Sequence, residues 1–196
     1  MHDVGPIDVL TVEHEVVRRY AQTLEAAAHC LRRGDAVPGS FFSGTLALSG
    51  RFIEDFHHVK EEHRLFPRLV ARHRAELADH ITVLAQQHRE GRARVEAIER
   101  AMRGYAEGRA DGREVLAGQV EGYADLLGRH MHREDNVFFP LARTTLDERE
   151  QREVTLAFQL EEERFSPDFL RQVVHDLHDL RKTLSELSLV RMRQVN

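Results

Sequence analysis

Apolar residues recur every three to four positions along four long stretches of this chain, which is the period of an amphipathic helix. The first stretch runs from Ile7 to about Arg33. Its apolar positions share one helical face and are Leu10, Val17, Tyr20 and Leu24. Asp8 is available to cap the start of this helix, and Gly34 is placed to end it. The pattern therefore predicts a long first helix with one buried face.

The same period predicts three more long helices. The second runs from Ser40 to Pro67 or one turn beyond, the third covers about 75–107, and the fourth about 114–142. A proline lies near the end of the second helix and another, Pro140, near the end of the fourth. Because proline lacks a backbone donor and strains the preceding turn, each helix should end or kink there.

Short connections between long helices favour antiparallel neighbours. We therefore predict an all-α fold in which residues 1–145 form an up-down four-helix bundle. Two further amphipathic stretches, 147–164 and 167–190, follow the fourth helix. They predict a C-terminal helical extension over 146–196 that packs on the bundle or on a partner.

Composition and charge exclude several classes of function. The net charge of -5 comes from both signs interspersed along the 196 residues, which disfavours nucleic-acid binding. Cys30 is the single cysteine, so one chain forms neither a disulfide nor a cysteine-based zinc or iron–sulfur site. No apolar stretch of membrane-spanning length and no secretory leader pattern is visible. These features predict a cytoplasmic protein without a membrane partner.

Histidine is the unusual residue, with 13 in the chain, and two of the histidine-rich segments repeat each other. The segment HHVKEEHRLFP at 57–67 aligns without gaps to HMHREDNVFFP at 130–140. Both copies read His-x-x-x-Glu and then Phe-Pro, near the ends of the second and fourth helices. These two helices should run parallel across the core, so the two copies should face each other at one depth.

The repeat carries the chemistry of a metal site. Residues four apart lie on one helical face, so His57 pairs with Glu61 and His130 pairs with Glu134. Two facing pairs give two imidazoles and two carboxylates inside a bundle, an arrangement used by carboxylate-bridged sites for two metals. The spacing of His58 and Glu62 offers an alternative register, but only the first pair aligns with the second copy.

Four further residues are candidates for the same site. His14 lies on the apolar face of the first helix and His88 on that of the third, so each can supply one ligand. His58 is rotated by about 100° from its neighbour, yet a core with two metals can accept adjacent residues on different ions. Tyr123, two turns before the fourth-helix histidine, could place its hydroxyl near the metals or a bound oxygen species, or be an ordinary core tyrosine.

Glu62 and Asp135 are expected around the site or in solvent. The remaining histidines considered are expected to face solvent and are His29, His63, His73, His80, His132, His175 and His178.

Four motifs together make the chain resemble the hemerythrin-like, or HHE cation-binding, family. They are Glu13-His14, the two repeat copies and QHREGR at 87–92, and the resemblance covers about residues 7–143. It implies an up-down four-helix bundle with a non-heme di-iron centre, bridged by two carboxylates and an oxo or hydroxo group. Position by position, it carries ligand roles over to His14, His57, Glu61, His88, His130 and Glu134.

One position departs from the family pattern. The oxygen-carrying members have two histidines four apart on the third helix, but Leu84 stands four residues before His88. His58 is the candidate replacement. One iron would then have His14 and His57, and the other would have His58, His88 and His130, with Glu61 and Glu134 bridging. The first iron would have the open coordination position.

The resemblance and the changed ligand set leave three functions open. The chain could bind O2, NO or peroxide reversibly as a carrier, store or sensor. It could be an enzyme that breaks down peroxide or reduces NO, or it could store iron or bind a partner through the C-terminal helices. The changed ligands favour sensing or detoxification of oxygen and nitrogen species over pure oxygen transport. Reversible oxygen binding depends on the redox potential of the metals, which the ligands and the residues around them control. Iron or manganese suits these ligands, and imidazole would also accept zinc.

Overall fold

The computed structural model describes residues 4–71 and 75–195, and these residues form helices and short connections with no β-strand. The second and fourth helices are continuous, but each contains both α-helical and π-helical segments. Six helices are present in the described residues: α1 (Pro6–Arg32), α2 (39–70), α3 (Ala75–Ala106), α4 (112–145), α5 (Glu148–Glu162) and α6 (Phe169–Val195). The bounds agree with the predicted helices to within a few residues, and the expectation for His73 lies outside the described residues.

The ends of α1 show how local sequence sets the helix boundaries. The residue before the helix is Gly5, and its backbone N–H donates to the Asp8 carboxylate at 3.0 Å. Asp8 therefore caps the helix from within its first turn rather than from the preceding position. Gly34 adopts a φ of 95°, a conformation that favours glycine, and it terminates the helix as predicted.

Both copies of the repeat contain a turn that is wider than an α-helix. The structure is π-helical over Ser49–His58 and Glu61–Leu65 in α2 and over Glu134–Phe138 in α4. In each copy the N–H of the phenylalanine before the proline bonds to the carbonyl of the glutamate five residues earlier. Because proline crowds the preceding turn, a wider turn relieves the clash. The helices consequently continue past their prolines instead of ending there.

Two apolar clusters fill the core, one on each side of a polar layer. We call the cluster that begins at Val17 on α1 the first cluster, and the one that contains Leu10 the second cluster. His14 lies between these two residues on α1. The other three long helices show the same order of apolar, polar and apolar positions. α1 and α3 pass from the second cluster to the first, and α2 and α4 pass in the opposite direction. The buried histidines thus lie in one layer across all four helices.

The two C-terminal helices pack on the other four. α5 contacts α1 and α2 and adds Val154 and Phe158 to the second cluster. α6 also contacts α1 and α2 and adds Phe169, Val173 and other apolar residues to the first cluster. Both helices therefore contribute to the core. The described residues contain no helix with both the length and the hydrophobicity of a membrane span.

Candidate metal centre

The structure brings all seven predicted metal ligands together in the buried polar layer, where each is at most 4% exposed. Their ligand atoms form two groups, and within each group these atoms lie within 4.8 Å of one another. The first group consists of His14, His57, Glu61 and Glu134. The second group consists of His58, Glu61, His88 and His130. Glu61 belongs to both groups, so the two share a carboxylate.

Each of the two glutamates spans the two groups. The Oε1 atom of Glu61 lies 3.7 Å from His57 Nε2, and its Oε2 atom lies 3.4 Å from His88 Nε2. The Oε2 atom of Glu134 lies 3.2 Å from His14 Nε2 and 3.1 Å from His130 Nε2. Both carboxylates are therefore placed to bridge two cations.

Several of these atoms make no hydrogen bond within the protein. Both carboxylate oxygens of Glu61 and of Glu134, and Nε2 of His14, are buried without a hydrogen bond. His88 Nε2 and His130 Nε2 face each other at 3.1 Å. Buried carboxylates without partners are strongly unfavourable, and converging imidazole nitrogens are the donors that bind metals. These residues fit a pair of metal ions.

The opposite ring nitrogen, Nδ1, of each histidine faces an oxygen of a side chain outside the site. The distances to these oxygens are 2.7 Å for His14, 2.9 Å for His57, 3.2 Å for His58, 2.7 Å for His88 and 3.1 Å for His130. The residues that supply the oxygens are, in the same order, Asp135, Glu13, Glu54, Glu62 and Gln87. A proton on Nδ1 leaves Nε2 free for a metal, so the four contacts that are hydrogen bonds set the tautomer and the ring orientation. His58 Nδ1 lies close to Glu54 Oε1 but makes no hydrogen bond to it.

Basic side chains neutralise the four outer carboxylates. Arg18 bonds to Asp135 at 2.6 Å, and Lys60 bonds to Glu13. Arg92 bonds to Glu54 at 2.9 Å and to Glu62 at 3.4 Å. Four of the five histidines therefore face a carboxylate that is paired with a cation, whereas His130 faces a neutral amide.

Comparison with known proteins decides the family. The model of the hemerythrin HHE cation-binding domain matches residues 5–142. The chain belongs to the hemerythrin HHE cation-binding family. It is also similar to uncharacterized proteins of Mycobacterium tuberculosis (strain ATCC 25618 / H37Rv) and Mycobacterium bovis (strain ATCC BAA-935 / AF2122/97). Each is 30% identical over 181 residues, which are 92% of this chain and 70% of the relative. The resemblance inferred from the four sequence motifs is confirmed.

The position that departs from the oxygen-carrying hemerythrins is part of the apolar core. Leu84 is fully buried in the second cluster. His58 instead stacks on His88, with ring centroids 3.7 Å apart and an interplanar angle of 15°. Its ligand atom lies in the second group of this hemerythrin-like centre. The structure thus places His58 beside His88, and its role as the replacement ligand remains a prediction.

The pKa values of the groups in the polar layer reflect the crowding of charge. Burial raises the pKa of Glu134, and the neighbouring Glu61 raises it further, because two carboxylates share one dry space. Burial lowers the pKa of His58 and of His130 well below the usual value, which favours neutral imidazoles. Burial also opposes the charged form of His14, but Asp135 and Glu134 outweigh it and raise the pKa of His14 to about 10. Burial and close contacts thus shift the pKa values of these candidate ligands in both directions.

Tyr123 is fully buried in the first apolar cluster. Its hydroxyl lies 2.6 Å from the Ser49 hydroxyl, and its ring is T-shaped to Tyr20 at 6.2 Å. Burial raises the pKa of Tyr123, so the phenol stays protonated. Contact between this hydroxyl and a ligand bound to the metals remains a prediction.

The other histidines are mostly outside the core, as expected. His80 is half-buried. The exposed ones among the described residues are His29, His63, His132, His175 and His178.

Sequence reasoning missed Glu13, Glu54 and Lys60 as parts of the centre. Glu54 had a usable signal, because it precedes His58 by four residues on the same helix. Glu13 and Lys60 act across helices and gave no comparable signal.

Proposed function

We propose that this chain is a non-heme di-iron protein that binds O2, NO or peroxide at a carboxylate-bridged centre, in sensing or detoxifying oxygen and nitrogen species. The observation that supports this proposal is that two groups of buried ligand atoms share Glu61 and are also spanned by Glu134. In this proposal residues 1–145 form an up-down four-helix bundle, and its four helices hold the ligands of both ions.

The proposed ligand sets are unequal. His14 and His57 would hold one ion, and His58, His88 and His130 would hold the other. Glu61 and Glu134 would be shared. The His14/His57 ion has one protein nitrogen fewer, so the proposal assigns the exchangeable position to it.

The donor set supports iron as the metal. Imidazole and carboxylate together suit iron and manganese, and imidazole also accepts zinc. A pair of redox-active ions would supply electrons and Lewis acidity to a small bound molecule. The protein supplies the dry surroundings: Phe139 stacks on His14 with ring centroids 5.2 Å apart, and Phe66 stacks on His88 at 6.1 Å. Such apolar walls exclude water and influence the redox potential.

The ligand set also favours a sensing or detoxifying role over oxygen transport. Reversible oxygen binding depends on the redox potential and on the groups that surround the ligands. Here leucine replaces one third-helix histidine, and His58 comes from a different helix and faces Glu54. This arrangement differs from the ligand pattern of the oxygen carriers in the residue and in the helix that supply one imidazole.

The test is optical. The protein is loaded with iron without oxygen, reduced, and exposed separately to O2, H2O2 and NO while the visible spectrum is recorded. We expect new absorption bands with at least one of them, and reversal or decay of the bands separates binding from turnover. His130→Ala should abolish the response, whereas His132→Ala, an exposed residue on the same helix, should preserve it. An iron-loaded protein that responds to none of the three molecules would contradict the proposal.

A further inference from the structure

Lys60 is a buried cation one residue before the shared ligand Glu61. Its side chain is 0% exposed, which is rare for lysine. A buried ammonium group is strongly unfavourable unless carboxylates compensate it. The position of Lys60 therefore depends on the residues that face its Nζ atom.

Those residues come from three helices. Nζ bonds to the Glu13 carboxylate of α1 and to Glu162 Oε1 of α5, the latter at 2.6 Å. The same atom lies 3.7 Å from the ring centroid of Phe56 on α2 and 5.9 Å from that of Phe158 on α5. Helix α5 thus supplies both a carboxylate and an aromatic face to a charge in the core.

The contact continues to a metal ligand. Glu13 uses Oε1 for Lys60 and Oε2 for Nδ1 of His57, at 2.9 Å. Glu162, Lys60, Glu13 and His57 therefore form one continuous chain of hydrogen bonds. It runs from the C-terminal extension to the ligand group that also contains His14.

We propose that Lys60 and Glu162 are positioning residues for His57, through which the C-terminal extension controls metal binding at one of the two ions. The inference rests on the proposed di-iron function. Glu162 shares the charge of Lys60, so Glu13 keeps electron density for the His57 N–H. Without Glu162, Lys60 would polarise Glu13 alone, and His57 would become a weaker electron donor to its metal.

The effect should be confined to one ion. The outer partners of the second group, Glu54, Glu62 and Gln87, come from α2 and α3. Arg92 on α3 is the basic partner of Glu54 and Glu62. A change in α5 should therefore alter the surroundings of His57 and leave the other group as it was.

The experiment compares Glu162→Gln with Glu163→Gln in the full chain. Both changes remove one negative charge at the end of α5, but Glu163 is exposed. Each protein is loaded with ⁵⁷Fe, the two iron signals are resolved by Mössbauer spectroscopy, and affinity is measured by competition with a chelator. We expect Glu162→Gln to weaken one iron by about 10-fold, the lower range for outer partners of metal ligands. One iron signal should shift while the other stays, and Glu163→Gln should match the wild type.

Lys60→Met provides a second variant, with similar length and no charge. It should shift the signal of the same iron and leave the other unchanged, because Glu13 loses the cation that orients it toward His57. If this variant does not fold, Glu162→Gln decides alone, because Glu162 is 38% exposed and its loss leaves the core packed.

The outcomes separate two failures. A wild-type protein that does not bind two irons overturns the proposed function and this inference with it. Wild-type loading combined with identical behaviour of Glu162→Gln and Glu163→Gln overturns the inference alone. Equal changes at both irons in Glu162→Gln also overturn it, because general loosening of the core would act on both.

Discussion

The Nδ1 atom of each candidate histidine ligand faces a side-chain oxygen, and in four of the five cases the charge of that oxygen is balanced by lysine or arginine. The Nε2 atoms of His14, His57, His88 and His130 lie beside the shared glutamates. Arg92 serves two ligands at once, because it contacts both Glu54 beside His58 and Glu62 beside His88. The surroundings of these ligands thus depend on two partly exposed arginines and on one buried lysine.

Arg92→Met should reduce metal affinity with little loss of stability. Glu54 and Glu62 would lose a shared partner, and removing such outer contacts costs about 10- to 100-fold in affinity. The side chain is 43% exposed, so its ion pairs contribute only about 0–1 kcal/mol to folding. Chelator competition and thermal unfolding measure the two effects. Arg100→Met is the control, since Arg100 is exposed and its ion pair is with Glu96; equal affinities in the two variants would refute the role of Arg92.

His58→Leu tests the residue that distinguishes this centre from the oxygen carriers. We expect lower iron content or a changed visible spectrum, because the second group would lose one of its three imidazoles. His63→Leu, on the same helix and exposed, should have neither effect. Unchanged iron content and spectrum in His58→Leu would remove His58 from the ligand set.

At the scale of the helices, the wide turns of α2 and α4 stand between the ligands and the prolines. Apolar periodicity was enough to predict the four long helices, because each buries one continuous face. It could not predict the π turns. Pro67 and Pro140 show that a hydrogen bond is lost, but the way in which the backbone relieves the clash depends on what packs around the turn. The prolines therefore led to an expectation of helix ends or kinks, whereas the helices continue to Val70 and Thr145.

Helix α5 should contribute strongly to stability through its buried face. Phe158 is 1% exposed and packs in the second cluster, so Phe158→Ala should lower the free energy of unfolding by about 3–5 kcal/mol. Leu156 is 57% exposed, and Leu156→Ala should change it by no more than about 0.5 kcal/mol. Urea unfolding of both variants provides the measurement. Similar small changes would mean that α5 does not pack on the other helices in solution.

Across the whole molecule, the polar layer joins four helices that apolar contacts hold together on either side. The repeat made the ligands predictable, because His57 with Glu61 and His130 with Glu134 stand at one spacing on two helices. The outer residues were harder to predict. Glu13 contacts a histidine of another helix, and Lys60 bonds to residues of two other helices. Their roles depend on tertiary contacts, which the spacing of residues along one helix cannot predict.

Metal removal should destabilise the whole fold, because the unpartnered oxygens of Glu61 and Glu134 would remain buried with less positive charge. Binding that favours the folded state adds about 4 kcal/mol when free metal exceeds the dissociation constant a thousandfold. We expect a higher melting temperature for iron-loaded protein than for chelator-treated protein in differential scanning calorimetry. Identical melting temperatures would show that the metal does not hold the helices together.

The number of irons per chain is the most direct test of the central claim. The protein is loaded with iron without oxygen, freed of unbound metal, and analysed for iron and protein. Two ligand groups that share Glu61 predict two irons per wild-type chain and loss of both in Glu61→Gln, because one shared ligand serves both ions. Fewer than one iron per wild-type chain, or two irons retained in Glu61→Gln, would contradict a carboxylate-bridged pair.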